Sequence, residues 1–177
     1  TQLNGLITLS DAGTITNFNG RNLTEDSGGT ISIANANTLS GKTSGVVTAT
    51  IADMTIGDSA ALNADGGANE FAITVTSTSA DAGDLVTLHG KTAGTLDINA
   101  VTTLTGTFAE VQQFYTDRAE FTNNNKITTI TLDAGAIGDA AALDTFHDNM
   151  RLLNGAAVVN ATNVTTISGT FAQLNDL

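Results

Sequence analysis

The chain has no cysteine, proline or tryptophan, and only six basic residues against 18 acidic ones. Without cysteine there are no disulfides, no zinc–thiolate sites and no thiol catalysis. The absence also suits a protein exported by bacteria. With aromatics at 5%, the core must be filled by Ile, Leu, Val and Ala. Charged residues make up only 14% of the 177 residues, well below the usual quarter of a globular chain. Thr, Ser, Asn and small residues therefore cover the surface. Arg21, Lys42, Lys91, Arg118, Lys126 and Arg151 are scattered and form no patch. Nucleic-acid binding needs clustered cations that displace phosphate counterions, so no nucleic-acid partner is expected. Attraction to anionic lipid is disfavoured for the same reason. No apolar run approaches the roughly 18 residues of a membrane span, and no membrane insertion is expected. The formal net charge of -12 reads as solubility and self-repulsion, with cation binding, Ca²⁺ in particular, as the functional alternative. The chain opens on Thr1-Gln2-Leu3 with no visible signal peptide, as expected of an excised piece or processed product.

What is abundant is Thr, and phrases that repeat. Val101-Thr-Thr-Leu-Thr-Gly-Thr-Phe-Ala-Glu110 returns as Val164-Thr-Thr-Ile-Ser-Gly-Thr-Phe-Ala-Gln173, an offset of 63 (164 − 101). Thr38-Leu-Ser-Gly-Lys-Thr-Ser-Gly45 returns as Thr87-Leu-His-Gly-Lys-Thr-Ala-Gly94, an offset of 49 (87 − 38). Gln2-Leu-Asn-Gly-Leu6 resembles Gln173-Leu-Asn-Asp-Leu177, so the chain begins and stops at one phase, like a slice of a longer array. Fixed-period self-similarity is the signature of repeat architectures.

Strand-like runs recur at Leu6–Leu9, Thr30–Ile33, Val46–Ala49, Ala72–Val75, Thr95–Ile98, Thr128–Leu132 and Ala157–Val159, flanked by Gly, Asn and Asp turn residues. Helical segments are expected mainly in the second half. Thr107-Phe-Ala-Glu110 is a capping-box pattern, followed by Phe108, Val111, Tyr115 and Ala119 as one helical face. Thr170-Phe-Ala-Gln173 repeats the cap. Asp139 caps a third helix with an apolar stripe of Leu143, Phe146, Met150 and Leu153. Asp81–Leu88 reads as a Gly-interrupted helical turn, and the first half shows little helical signal. Strand, turn, helix and a parallel strand make a right-handed crossover. Repeated, this gives a solenoid, in which each repeat buries its apolar residues against its neighbours.

The expected fold is therefore one elongated repeat domain over residues 1–177, with long repeats at 7–63, 64–114 and 115–177. It is a parallel-sheet solenoid with short helices in the C-terminal half. The spacing of Leu96, Ile98, Val101, Leu104, Phe108, Val111 and Phe114 resembles leucine-rich repeats, although Val101 stands near the place of that family's turn Asn. The alternative is a right-handed parallel β-helix, particularly over residues 1–70.

The phrases Ala82-Gly-Asp-Leu-Val-Thr-Leu-His-Gly-Lys-Thr-Ala-Gly-Thr-Leu-Asp97 and Ala100-Val-Thr-Thr-Leu-Thr-Gly-Thr-Phe-Ala-Glu-Val111 resemble Thr-rich repeats of very large secreted or surface proteins of bacteria. Such proteins occur especially in marine cyanobacteria and are described as adhesin-like or hemolysin-type. The resemblance covers roughly residues 73–177 well and the earlier part more faintly. It implies an extracellular or cell-surface setting and a structural role, and it brings no catalytic residues.

Little chemistry stands out. His89 and His147 follow Leu88 and Phe146 at corresponding repeat places. No Gly-x-Ser-x-Gly elbow fixes a nucleophile, and acids suited to sugar hydrolysis are dispersed, so no enzyme is expected. Gly41-Lys42-Thr43 and Gly90-Lys91-Thr92 end like a phosphate loop, but Ala36 and Leu85 stand where its first Gly belongs. Gly28-Gly29 and Asp65-Gly66-Gly67 fall short of the Ca²⁺-binding nonapeptide. Asp65 with Glu70, or Asp81 with Asp84, remain Ca²⁺ candidates; no other cofactor is implied. Asn22-Leu-Thr24, Asn160-Ala-Thr162 and Asn163-Val-Thr165 match a glycosylation pattern by composition alone. Thr-x-Thr pairs at Thr14/Thr16, Thr74/Thr76 and Thr129/Thr131 place hydroxyls on one strand face. Two functions compete. One is a structural or adhesive segment whose partners are neighbouring repeats or other copies, end to end. The other is a module binding ice or glycan on its Thr faces.

Overall fold

The computed structural model describes residues 2–13, 17–63 and 68–175. It is a mixed α/β chain in which parallel strands alternate with helices. Two compact units are distinguished: Thr1–Thr76 with Thr87–Asp97, and Ser77–Val86 with Ile98–Leu177.

In the first unit, helix α1 (Gln2–Asp11) precedes the short strands β1 (Leu23–Thr24) and β2 (Thr30–Ile31). Helix α2 (Ile33–Lys42) and strand β3 (Val47–Ile51) follow. A 3-10 segment (Ile56–Ala61) leads to β4 (Glu70–Thr74), and β6 (Leu96–Asp97) completes the set after β5 and α3, given below. β3 receives β1 at Leu23↔Val47 and β2 at Ile31↔Ile51, both in parallel. β4 pairs β3 at Ala49↔Phe71 and β6 at Ile73↔Leu96. Alternation does the sorting: every second residue of a strand faces inward, and Val47, Ala49 and Ile51 are all buried.

In the second unit, β5 (Ser79–Asp81), β7 (Thr103–Gly106), β9 (Thr129–Leu132) and β11 (Val158–Asn160) form one parallel sheet. Ala80, Leu104, Ile130 and Val159 stand in one register row, and the first three are buried. β10 (Gly135–Ile137) pairs β12 (Val164–Ile167) at Ile137↔Ile167. The helices are α3 (Ala82–His89), which crosses the unit boundary, α4 (Phe108–Thr116), α5 (Ala140–Leu153) and α6 (Phe171–Asn175). A two-residue strand β8 (Phe121–Thr122) lies between α4 and β9.

A capping side chain starts each helix from α2 to α6, close behind a strand. Thr107 Oγ1 accepts from the Glu110 amide (3.3 Å), and Glu110 Oε2 accepts from the Thr107 amide (2.7 Å). Thr170 and Gln173 repeat the arrangement, at 3.3 and 2.7 Å. Asp139 accepts from the Ala141 amide and Asp81 from the Asp84 amide. Ser32 caps α2 through the Asn35 amide, and Thr55 pairs with Asp58 ahead of the 3-10 segment. In α2 to α6 a local side-chain oxygen thus satisfies one of the free amides of the first turn.

Several sequence expectations need correction. Leu6–Leu9 is not a strand but part of α1, and α2 also lies in the first half. Tertiary contacts decide this against local propensity. Leu3 is buried, the Asn35 amide group donates to Asn4 Oδ1 (2.8 Å), and Lys42 meets Asp11 (2.8 Å). Of Thr30–Ile33, only Thr30 and Ile31 are strand; Ser32 turns the chain into α2. In α4 the buried residues are Val111 and Phe114; of the expected row, Val111 is buried, Tyr115 is half-buried, and Ala119 lies beyond the helix end at Thr116. In α5, Leu143, Phe146 and Met150 are buried as the stripe requires. The side chain of Leu153, like Thr14, Thr16, Asp65, Gly66, Gly67 and Leu177, lies outside the described residues.

The repeated Lys-Thr-x-Gly phrase proves to be a backbone pin. Thr92 is 2% exposed. Its hydroxyl lies within hydrogen-bond distance of the Asn69 and Phe71 carbonyls, and the amides of Phe71 and Gly94 donate to it. Thr43 does the same with the Arg21 carbonyl (2.6 Å) and the Gly45 amide (2.9 Å). Two residues on, the backbones nearly touch: a Cβ on Gly94 would stand 2.3 Å from the Phe71 carbonyl oxygen. Gly94→Ala should therefore destabilise the chain by about 1–3 kcal/mol or more, as overpacking does. Gly5→Ala, in open space within α1, should stabilise it by about 0.5–1 kcal/mol. Urea unfolding of the two variants checks the opposite signs.

Candidate functional site

The outward face of the β5–β7–β9–β11 sheet carries two rows, polar except for the exposed Val158. One row is Ser79, Thr103, Thr129 and Val158; the other is Asp81, Thr105, Thr131 and Asn160. Neighbouring parallel strands lie about 4.8 Å apart, and alternate residues on one strand about 6.6 Å apart. At the centre four threonines, Thr103, Thr105, Thr129 and Thr131, form a small grid, all half-buried. Just before these strands, a second set of threonines stitches the backbone. Thr102 Oγ1 donates to the Thr78 carbonyl and Thr128 Oγ1 to the Thr102 carbonyl, each at 3.3 Å. The same two carbonyls also accept main-chain amides from the following strand segment.

Thr129 and Thr131 thus lie in the grid. Thr74 and Thr76 belong to the other compact unit; Thr74 is half-buried, and the Thr76 hydroxyl donates to the Met54 carbonyl (3.2 Å). Thr103 and Thr105 were not singled out from sequence. Their Thr-Leu-Thr spacing is the same signal, and it was hidden inside the longer repeated phrase. The hydroxyls of the grid are not equivalent, since Thr105 Oγ1 reaches the Ala80 carbonyl at 3.4 Å. The surface offers weak donors, acceptors and methyl groups in a regular pattern. No activated nucleophile sits on it.

The Ca²⁺ candidates separate. Asp65 is outside the described residues. Glu70 stands on β4, where the Thr48 hydroxyl donates to it (3.1 Å). Asp81 and Asp84 do meet, but as a helix cap: Asp81 Oδ1 accepts the Asp84 amide at 3.1 Å. Glu110 comes close as well, because the carboxylates of Asp81 and Glu110 both border the space above Gly83 and Gly106. Gly106 has φ +143, a conformation that leaves room for this crowding. Among the described residues, no group of three His, Cys, Asp or Glu side chains is placed to hold a metal ion. His89 closes α3, and His147 lies beside Asp148 (3.8 Å) on α5.

Burial pushes the Asp81 carboxyl above the ordinary range, and the Glu110 and Asp84 charges push the same way. The Thr107 amide and hydroxyl hold Glu110 below it, as Thr55 holds Asp58. A carboxyl raised on folding weakens the fold while ionised, and that penalty fades as pH falls through its folded pKa. Lowered carboxyls act oppositely, and their contribution is lost as pH falls through their folded pKa. Asn caps helices as well as Asp does. Asp81→Asn should therefore raise stability at neutral pH, and the gain should shrink in acid, as urea unfolding across the two conditions will report.

No protein-family model matches the chain, and no curated protein or solved structure is detectably similar to it.

Proposed function

We propose that this chain is a non-enzymatic structural or adhesive repeat segment of a larger bacterial surface or secreted protein. In this reading its strand–cap–helix segments stack as a parallel solenoid of leucine-rich-repeat-like layout, and it works outside the cell. The observation that carries it is the recurrence of one local design. Caps at Ser32, Thr55, Asp81, Thr107, Asp139 and Thr170 each stand at, or within three residues after, the end of a strand or a bridge residue. Within each unit, parallel partners stand 20 to 30 residues apart, from Thr30↔Thr50 to Ile137↔Ile167. A segment that cannot satisfy its own strand edges is suited to being one of many. Neighbouring repeats, or further copies end to end, are then the natural partners. No helix among the described residues is long and apolar enough to cross a membrane, and display would come from the array itself. Weak contacts made by many repeats would add to useful avidity.

Lengthening the chain tests this reading. A tandem duplicate of residues 107–169, inserted after Gly169, should fold, because it adds segments at a matching phase. Its urea m-value should rise with the added length, and its midpoint should not fall. An insert that unfolds the chain or leaves the m-value unchanged sinks the array reading. Antibody raised against the folded chain should label intact producing cells; label that enters only after permeabilisation would exclude surface display.

The Thr103/Thr129 and Thr105/Thr131 grid favours a second reading, a face for ice or glycan. Ice-recrystallisation inhibition by the chain, lost in the Thr103→Val/Thr129→Val double variant, would support the ice form. No inhibition by the unmodified chain would end it.

A further inference from the structure

Helices α4 and α5 of the second unit flank an open hollow of about 400 Å³. Two helical stripes face into it. Gln112 and Tyr115 come from α4, and Thr145, Phe146 and Asn149 from α5, with the cap Asp139 at one end. The spacings are three and four residues, those of a single helix face.

The lining is amphipathic in a specific way. Its apolar part is Phe146, which is 3% exposed and packs edge-on against Phe108 at 5.6 Å between ring centroids. Beside it stands the Tyr115 ring, which is held in place. The Arg118 guanidinium lies 4.1 Å from the ring centroid, and Arg118 Nη1 donates to the Tyr115 carbonyl at 2.8 Å. The polar part consists of planar groups. Gln112 and Asn149 are half-buried, yet neither side-chain amide has a hydrogen-bond partner among the described residues. Several half-buried or exposed Asn amides elsewhere do bind the fold: Asn35 to Asn4, Asn37 to the Ala61 carbonyl, Asn154 to the Asn125 carbonyl. Asp139 spends Oδ1 on the Ala141 amide.

We propose that this hollow binds a neutral saccharide, one or two rings of a larger glycan. A pyranose has an apolar C–H face that suits the half-buried Tyr115 ring, with the buried Phe146 closing the floor beneath it. Its adjacent hydroxyls both donate and accept, and a primary amide offers both functions in one plane. The volume lies in the lower part of the range for small-ligand sites. Asp139 and the net charge of -12 disfavour anionic sugars. The hollow is distinct from the threonine grid, and the proposal does not depend on the array reading.

Amide NMR titration of the full chain tests it. The probes are the methyl glycosides of glucose, galactose, mannose and N-acetylglucosamine, taken to about 100 mM to reach millimolar affinities. At least one should give saturable shifts confined to residues 112–116 and 139–149. Tyr115→Ala, Gln112→Ala and Asn149→Ala should each weaken binding about tenfold or more, with the rest of the amide spectrum unchanged. Thr103→Val should leave it unaltered, and glucose 6-phosphate should bind more weakly than its neutral counterpart. The proposal is overturned if no probe gives saturable shifts, if the shifts map to the threonine grid, or if all three folded variants bind like the unmodified chain.

Discussion

A strand of two to five residues with parallel neighbours cannot satisfy its own backbone, and everything else in this chain follows from that. The amides and carbonyls along each strand edge need a partner 20 to 30 residues away, because a parallel connection requires a crossover. The chain must therefore leave each strand, cross and return at a height that matches the last one. Side-chain caps solve the leaving. Thr107 with Glu110 turns strand into helix within one residue, and Thr170 with Gln173 does so within three. The buried hydroxyls of Thr43 and Thr92 help with the return. Each reaches back to the carbonyl of the previous strand segment, Arg21 or Phe71, as the new strand begins. Gly45 and Gly94 then let the two backbones come closer than any Cβ would allow.

Sequence reading succeeded where a structure is written locally. The caps at Thr107, Asp139 and Thr170 involve residues two or three apart, and all three are present. Most strand runs were legible because alternation and β-branching act within a few residues, as in Thr129–Leu132. The failures have a common cause. α1 is held by residues far along the chain, through Glu25, Asn35 and Lys42, so Leu6–Leu9 by itself suggested the wrong period. The repeated Lys-Thr-x-Gly phrase was visible as a repeat. Its meaning was not, since the carbonyls that the threonines bind lie 21 to 23 positions back. The threonine grid was half legible: Thr129-Ile-Thr131 was read as one face, but register alone brings Thr103 and Thr105 beside it. The hollow between α4 and α5 left no trace in the sequence, because Gln112 and Asn149 look like ordinary solvated helix residues until the two helices face each other.

Stacking in register also accounts for the composition. On a parallel ladder each residue lies about 4.8 Å from the residue at the same height on the next strand. Were successive segments to carry the same charge at one position, those charges would line up and repel. Threonine avoids this. Its methyl group packs, its hydroxyl donates to a carbonyl of the preceding segment, as at Thr102 and Thr128, and it carries no charge to repeat. The exceptions support the rule. Glu70 stands opposite Thr48, which donates to it. Asp81 stands opposite Thr105, yet it still feels Glu110 from the next cap and is pushed up for that reason as well as by burial. On the described strands the acids are Glu70, Asp81 and Asp97, and each faces a threonine rather than another acid, so threonine is the polar residue that stands beside itself and beside the charges.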